Sequence, residues 1–207
     1  YGGSYFSGEG VTDNQTFSWI LNDKINDTFI QNFSVNGYGT VQAYLKLKEY
    51  FAQGQKKPDL VIYGFGAFHH ERNVNAKSWI LALETLRRHE SYSPPFFRMK
   101  NDDLVFHPAK LIKAWPLERH SVTLKLVKDL WLTWGAQKTS GYPEIITQKI
   151  ILRMQKEVMK NKSVFLVVYI GNSLNNDYQA FFEANGINNV NCHIENWQAD
   201  ATLNNGG

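Results

Sequence analysis

The chain has 207 residues, 43% of them hydrophobic and 20% charged, which is ordinary for one globular domain with a sizeable core. A net charge of +3 with scattered lysines excludes a basic nucleic-acid-binding stripe, and the single Cys192 excludes an internal disulfide or a cysteine metal cluster. The longest apolar run, Val164 to Ile170, is far too short to span a bilayer.

The first informative stretch is Gly2-Gly3-Ser4-Tyr5-Phe6-Ser7-Gly8-Glu9-Gly10. A serine among glycines suits a tight turn with an exposed hydroxyl, because glycine tolerates the backbone angles required. The same run also fits a phosphate-cradling loop or a frayed terminus. Asp13 to Ile25 has helical spacing of Phe17, Ile20 and Leu21, with Thr12 or Asp13 as cap. Thr28 to Val35 reads as a strand and Asn36-Gly37-Tyr38-Gly39 as a turn. From Thr40 the apolar positions follow helical spacing until Gly54 stops them. Leu60 to Phe65 is a continuous apolar strand of the kind buried on both faces, which makes strand, helix and strand a βαβ unit.

Residues 75–141 break this rhythm and read as an insertion on one edge of the sheet. Trp79 to Arg88 is a candidate helix, Pro95 to His107 a hairpin around Asn101-Asp102-Asp103, and Ser121 to Trp134 a further helix. Pro143 and Glu144 then open a long helix carrying Ile146, Ile150, Ile151, Met154 and Val158 on one side. Ser163 to Ile170 is a second buried strand. A helix from Asn175 or Asn176 ends at Gly186, and Asn189 to Ile194 supplies a last strand. The alternation predicts an α/β fold: a flavodoxin-like three-layer α/β/α arrangement with a mainly parallel sheet and an edge insertion, all in a single domain over 1–207.

Three segments in order resemble the conserved blocks of SGNH (GDSL-type) hydrolases. Gly2-Gly3-Ser4 with Phe6-Ser7-Gly8-Glu9-Gly10-Val11 and Asp13 resembles the nucleophile block, in the variant with glycine in place of the aspartate before serine. Asn32 to Gly39 resembles the second block, and Pro58 to Gly64 the strand leading to the third. The likeness covers residues 1–75 by motif and the C-terminal part only by alternation of elements.

The resemblance implies a serine esterase acting on a small-molecule or carbohydrate ester, without a cofactor or metal. It makes Ser4 the nucleophile and the N–H groups of Ser4 and Gly37 the oxyanion donors. An O-acyltransferase and a non-catalytic binding module share the scaffold and remain open, and Ser4 and Gly37 also read as ordinary turn residues. Gly3, Asn36, Ala67, His69 and His70 are the candidate pocket residues. Ala67 falls where the family carries an asparagine donor, so a backbone N–H or His69 is left to replace it. The family's Asp-x-x-His block, source of the general base, occurs nowhere in the sequence. The expectation is a piece cut at both ends, lacking the first strand and that block. Arg72 is read as an acid-binding group or, by preference, as one half of a surface ion pair near Glu71. Trp79, Trp115, Trp131 and Trp134 are read as core aromatics or as the lining of a sugar- or acyl-binding edge.

Overall fold

The computed structural model describes residues 1–86, 91–112, 121–124, 126–128, 130, 142–170 and 176–192. Its centre is a parallel sheet of β1 (Leu60–Gly66), β6 (Val164–Ile170) and β7 (Asn188–Asn191), in the order β1-β6-β7. The register sets Val61 beside Phe165, Tyr63 beside Val167 and Phe65 beside Tyr169. Side chains alternate along a strand, so these six share one face. They pack in one cluster with Ala43 and Leu47 of α3 (Thr40–Ala52), Ile151, Met154 and Val158 of α6 (Pro143–Lys160), and Tyr178 and Phe182 of α7 (Asn176–Ala184).

The helices form where the sequence favours them. Helix α6 has proline in its first turn, Glu144 near its start and Lys160 near its end, each suited to the free amides and dipole there. Its Ile150, Ile151, Met154 and Val158 are fully buried. At about 1.5–3 kcal/mol per buried side chain, this stripe outweighs the few tenths of a kcal/mol set by residue propensity. Helix α3 stops where expected, with Gly54 at φ +65° just after Gln53.

The opposite face is covered close to the backbone. A Cβ on Gly64 would stand 2.0 Å from the Phe6 ring, so only glycine lets α1 (Ser4–Ser7) settle on β1. Phe6 in turn meets Phe17 of α2 (Phe17–Lys24), ring centroids 5.6 Å apart. The Asp13–Ile25 helix is therefore present in two parts, a 3-10 turn over Asp13–Gln15 boxed by Thr12 and then α2 capped by Thr16.

Tyr1 joins β1 as a parallel strand residue would. Its amine donates to Ile62 O at 2.9 Å and its carbonyl accepts from Gly64 N at 2.8 Å, bracketing Tyr63. Gly2, Gly3 and Ser4 consequently run on towards the C-terminal end of β1.

The expected strand over Thr28–Val35 forms no ladder. Val35 N donates to Gly2 O at 3.2 Å, while the Asn32 side chain takes Ser34 N and reaches Phe6 O, so a side chain holds what a partner strand would. The βαβ unit is instead completed by β6, α7 and β7. The last strand begins at Asn188 and ends at Asn191, and residues 193–194 lie outside the described residues.

Between the halves of the sheet come α4 (His69–Asn73), α5 (Lys77–Leu86) and two small antiparallel pairs. The hairpin is where the sequence puts it: β3 (Phe96–Lys100) and β4 (Asp103–His107) turn at Asn101 and Asp102, both with positive φ. β2 (Ser91–Ser93) pairs with β5 (Lys110–Ile112). Phe97 and Leu104 of the hairpin close a second cluster with Val41, Val74, Ile146 and Ile150. Residues 122–124, 126–128 and 130 are helical; Trp115, Trp131 and Trp134 lie outside the described residues. No helix among the described residues is long and apolar enough to cross a membrane.

Candidate active site

Ser4 is the first residue of α1, with Gly3 as N-cap, and is partly exposed. The turn behind it is tight: Ser4 O accepts from Gly8 N and Glu9 N, each at 3.1 Å, and from Ser7 Oγ at 2.9 Å. No described residue hydrogen-bonds the Ser4 hydroxyl. The turn therefore fixes the backbone of Ser4 and leaves its side chain uncommitted.

Gly37 occupies the third position of a turn closed by Tyr38 N donating to Val35 O at 3.1 Å, with φ +82°. That angle favours glycine. Three links put this turn against the Ser4 turn. Val35 N donates to Gly2 O, Ser7 Oγ touches the side-chain amide of Asn36, and a Cβ on Gly3 would stand 3.1 Å from Tyr38 O. Gly3, Ser4, Asn36 and Gly37 thus belong to one neighbourhood at the C-terminal end of β1. In open α/β sheets that end is where ligands bind.

The stretch after β1 divides sharply. Ala67 contributes a methyl group and a carbonyl that accepts from His70 N at 3.1 Å. His69 turns its ring towards Gly3, with Nε2 3.0 Å from where a Cβ there would stand. An imidazole therefore borders the glycine that precedes Ser4. His70 turns the other way, into the core: Nδ1 lies 3.0 Å from Thr147 Oγ1 and the ring stacks on Tyr178. It is a scaffold residue and not a wall of the Ser4 pocket.

The protonation of both rings follows from their partners. Tyr63 donates its one proton to Thr40 Oγ1 at 2.8 Å, so its oxygen accepts from His69 Nδ1–H across 3.1 Å. Nε2 of His69 is then a bare acceptor, buried and without a partner among the described residues. Burial first, then the Arg72 charge, then His70, depress the His69 pKa to about 3. The ring is neutral and, in this tautomer, has no proton to offer an oxyanion. Thr147 donates to Pro143 O at 2.7 Å and so accepts from His70 Nδ1–H; burial lowers the His70 pKa to about 4.

Arg72 departs from the expected surface pairing. Glu71 is engaged by Ser78 on α5, while Arg72 Nη1 donates to Tyr38 O at 2.8 Å. The guanidinium packs on Phe68 and on Trp79, 4.9 and 4.6 Å from their ring centres. The outer edge of Trp79 approaches Gly37, 3.6 Å from where a Cβ there would stand. From the Gly37 turn a cavity of about 400 Å³ opens along α3 and α5, bounded by Asn36, Tyr38, Gln42, Trp79, Tyr92 and Pro94.

Residue spacing does not reveal the side chain that organises this end of the fold. Asn73, fully buried, donates to Thr40 Oγ1 at 2.9 Å and Thr147 Oγ1 at 2.7 Å, and accepts from Val41 N at 3.2 Å. It thereby caps α3, whose own N-cap Gly39 has no side chain. A Cβ on Gly39 would stand 2.9 Å from Asn73 Oδ1. The only hint in the sequence is Thr147, a hydroxyl on the otherwise apolar stripe of α6. Compared with known proteins, the chain matches no family model, no curated protein and no solved structure.

Proposed function

We propose that the chain is a serine ester hydrolase of the SGNH type on a flavodoxin-like three-layer scaffold. The observation that carries this reading is the joining of the Ser4 turn to the Gly37 turn at the C-terminal end of β1 through Gly2, Ser7 and Tyr38. In the reaction, Ser4 Oγ attacks the ester carbonyl and the alcohol leaves, forming an acyl-enzyme that water then hydrolyses. Negative charge developing on the carbonyl oxygen is met by the N–H groups of Ser4 and Gly37. Both are fixed beforehand, so no reorganisation is spent at the moment of reaction. The cavity beyond Gly37 takes the remainder of the substrate.

His69, neutral and with its free nitrogen towards Gly3, supports the turn from behind. Deprotonation of Ser4 is a separate task, for which the family uses the Asp-x-x-His block. Transfer of the acyl group to a sugar hydroxyl, in place of water, uses the same intermediate. A non-catalytic module is favoured by two features, the methyl group of Ala67 where the family has an amide and the absence of an Asp-x-x-His block from this sequence.

Labelling with a neutral alkyl fluorophosphonate tests the reading. A single adduct on Ser4, absent from Ser4→Ala, is expected. Labelling that persists unchanged in Ser4→Ala removes Ser4 from the chemistry.

A further inference from the structure

Among the described residues the cation at this site has no carboxylate in contact with it. Arg72 is half-buried, so part of its hydration is already lost, and burial is the leading influence lowering its pKa. One N–H is spent on Tyr38 O, and the guanidinium lies over the rings of Phe68 and Trp79. Among the described residues the one ion pair within 4.0 Å joins Lys46 and Glu49, and no carboxylate lies at that distance from Arg72. The one carboxylate whose charge acts on it is Glu9 among the described residues, an exposed side chain outside ion-pair distance. A partly desolvated guanidinium with unspent donors is costly unless something pairs with it.

Its position says what that partner is. Nη1 stands 3.4 Å from where a Cβ on Gly3 would be, one residue before the proposed nucleophile. The rigid fork of donors matches a carboxylate, and the contacts with Phe68 and Trp79 hold it beside Gly3. We infer that Arg72 seats a carboxylate carried by the substrate itself, so that the site selects anionic esters whose charge lies a few bonds from the scissile carbonyl. This rests on the hydrolase reading for the word ester; the anion seat does not depend on turnover.

The test separates the two. Ser4→Ala protein is titrated with monomethyl succinate and with dimethyl succinate, which differ by one charge, and binding is followed by ligand-observed NMR. The monoester is expected to bind at least about tenfold more tightly, with the preference shrinking as salt is raised. Arg72→Gln should abolish the preference, and Arg72→Lys should keep part of it, since charge remains and the fork does not. Equal affinity of the two esters for the Ser4→Ala protein overturns the inference whether or not the variants fold. A preference retained in Arg72→Gln, shown folded by its thermal transition, overturns it as well. Fluorophosphonate labelling reports on Ser4 alone, so failure of the nucleophile leaves this outcome readable.

Discussion

His69 and His70 are neighbours in the chain and belong to two different regions of the molecule. On the His70 side, Asn73, Thr40, Thr147 and Tyr63 share protons so that nearly every donor and acceptor is spent. On the His69 side the count does not close. The Nε2 lone pair, the Ser4 hydroxyl and most of the Arg72 fork have no partner among the described residues. Saturated polar groups in a low-dielectric interior make a rigid scaffold. Polar groups left uncommitted beside it are the ones available to a bound molecule, and α4, a helix of five residues, contributes His69 and Arg72 to one set and His70 and Asn73 to the other.

The comparison breaks most severely at Asn73. Asn73→Ala removes three hydrogen bonds and leaves Val41 N–H, Thr40 and Thr147 buried without it, at a cost of about 3 kcal/mol or more in denaturant unfolding. A loss below about 1 kcal/mol would show that the network is not a scaffold. Gly64→Ala should cost about 1–3 kcal/mol, because the new methyl meets the Phe6 ring and must displace α1. It should also slow fluorophosphonate labelling of Ser4, whereas unchanged labelling would uncouple the turn from the strand.

Acid sharpens the contrast between the regions. Both histidines are held neutral, with pKa values of about 3 and about 4 against 6.5 when unfolded. The unfolded chain therefore binds more protons below pH 6.5, so stability is full above that pH and falls as pH drops towards the folded values. The slope approaches about 1.4 kcal/mol per pH unit for each histidine. His70→Gln should flatten the decline between pH 6 and 4 by one proton; an unaltered slope would mean that His70 is not buried neutral. The smallest effect belongs to Ser4→Ala, which should change stability by less than about 0.5 kcal/mol, since only the uncommitted hydroxyl is lost. A larger loss would mean that the hydroxyl is structural.

What the sequence disclosed follows the same division. Leu60–Gly66 and Val164–Ile170 were legible because strands buried on both faces are continuous apolar runs, and α6 because its stripe repeats at helical spacing. The Asn101-Asp102 turn was legible from residues that accept positive φ. Thr28–Val35 misled because its loose alternation resembles a strand while Asn32 satisfies the backbone locally. The Asn73 network was invisible for a different reason. Its members lie 33 and 74 residues apart, and no spacing rule links single polar residues over such distances. From the sequence Arg72 reads as an acid-binding group or, by preference, a surface partner near Glu71, since nothing there shows that Phe68 and Trp79 pack on it.

The hydrolase reading requires that the Ser4 hydroxyl face the amide of Gly37. Its most direct test is the amide NMR spectrum of the isotopically labelled chain before and after reaction with a fluorophosphonate. The account predicts an adduct on Ser4 and large shifts of the Ser4 and Gly37 amide protons, each now donating to the phosphonyl oxygen. An adduct on Ser4 that leaves the Gly37 amide where it was would contradict it.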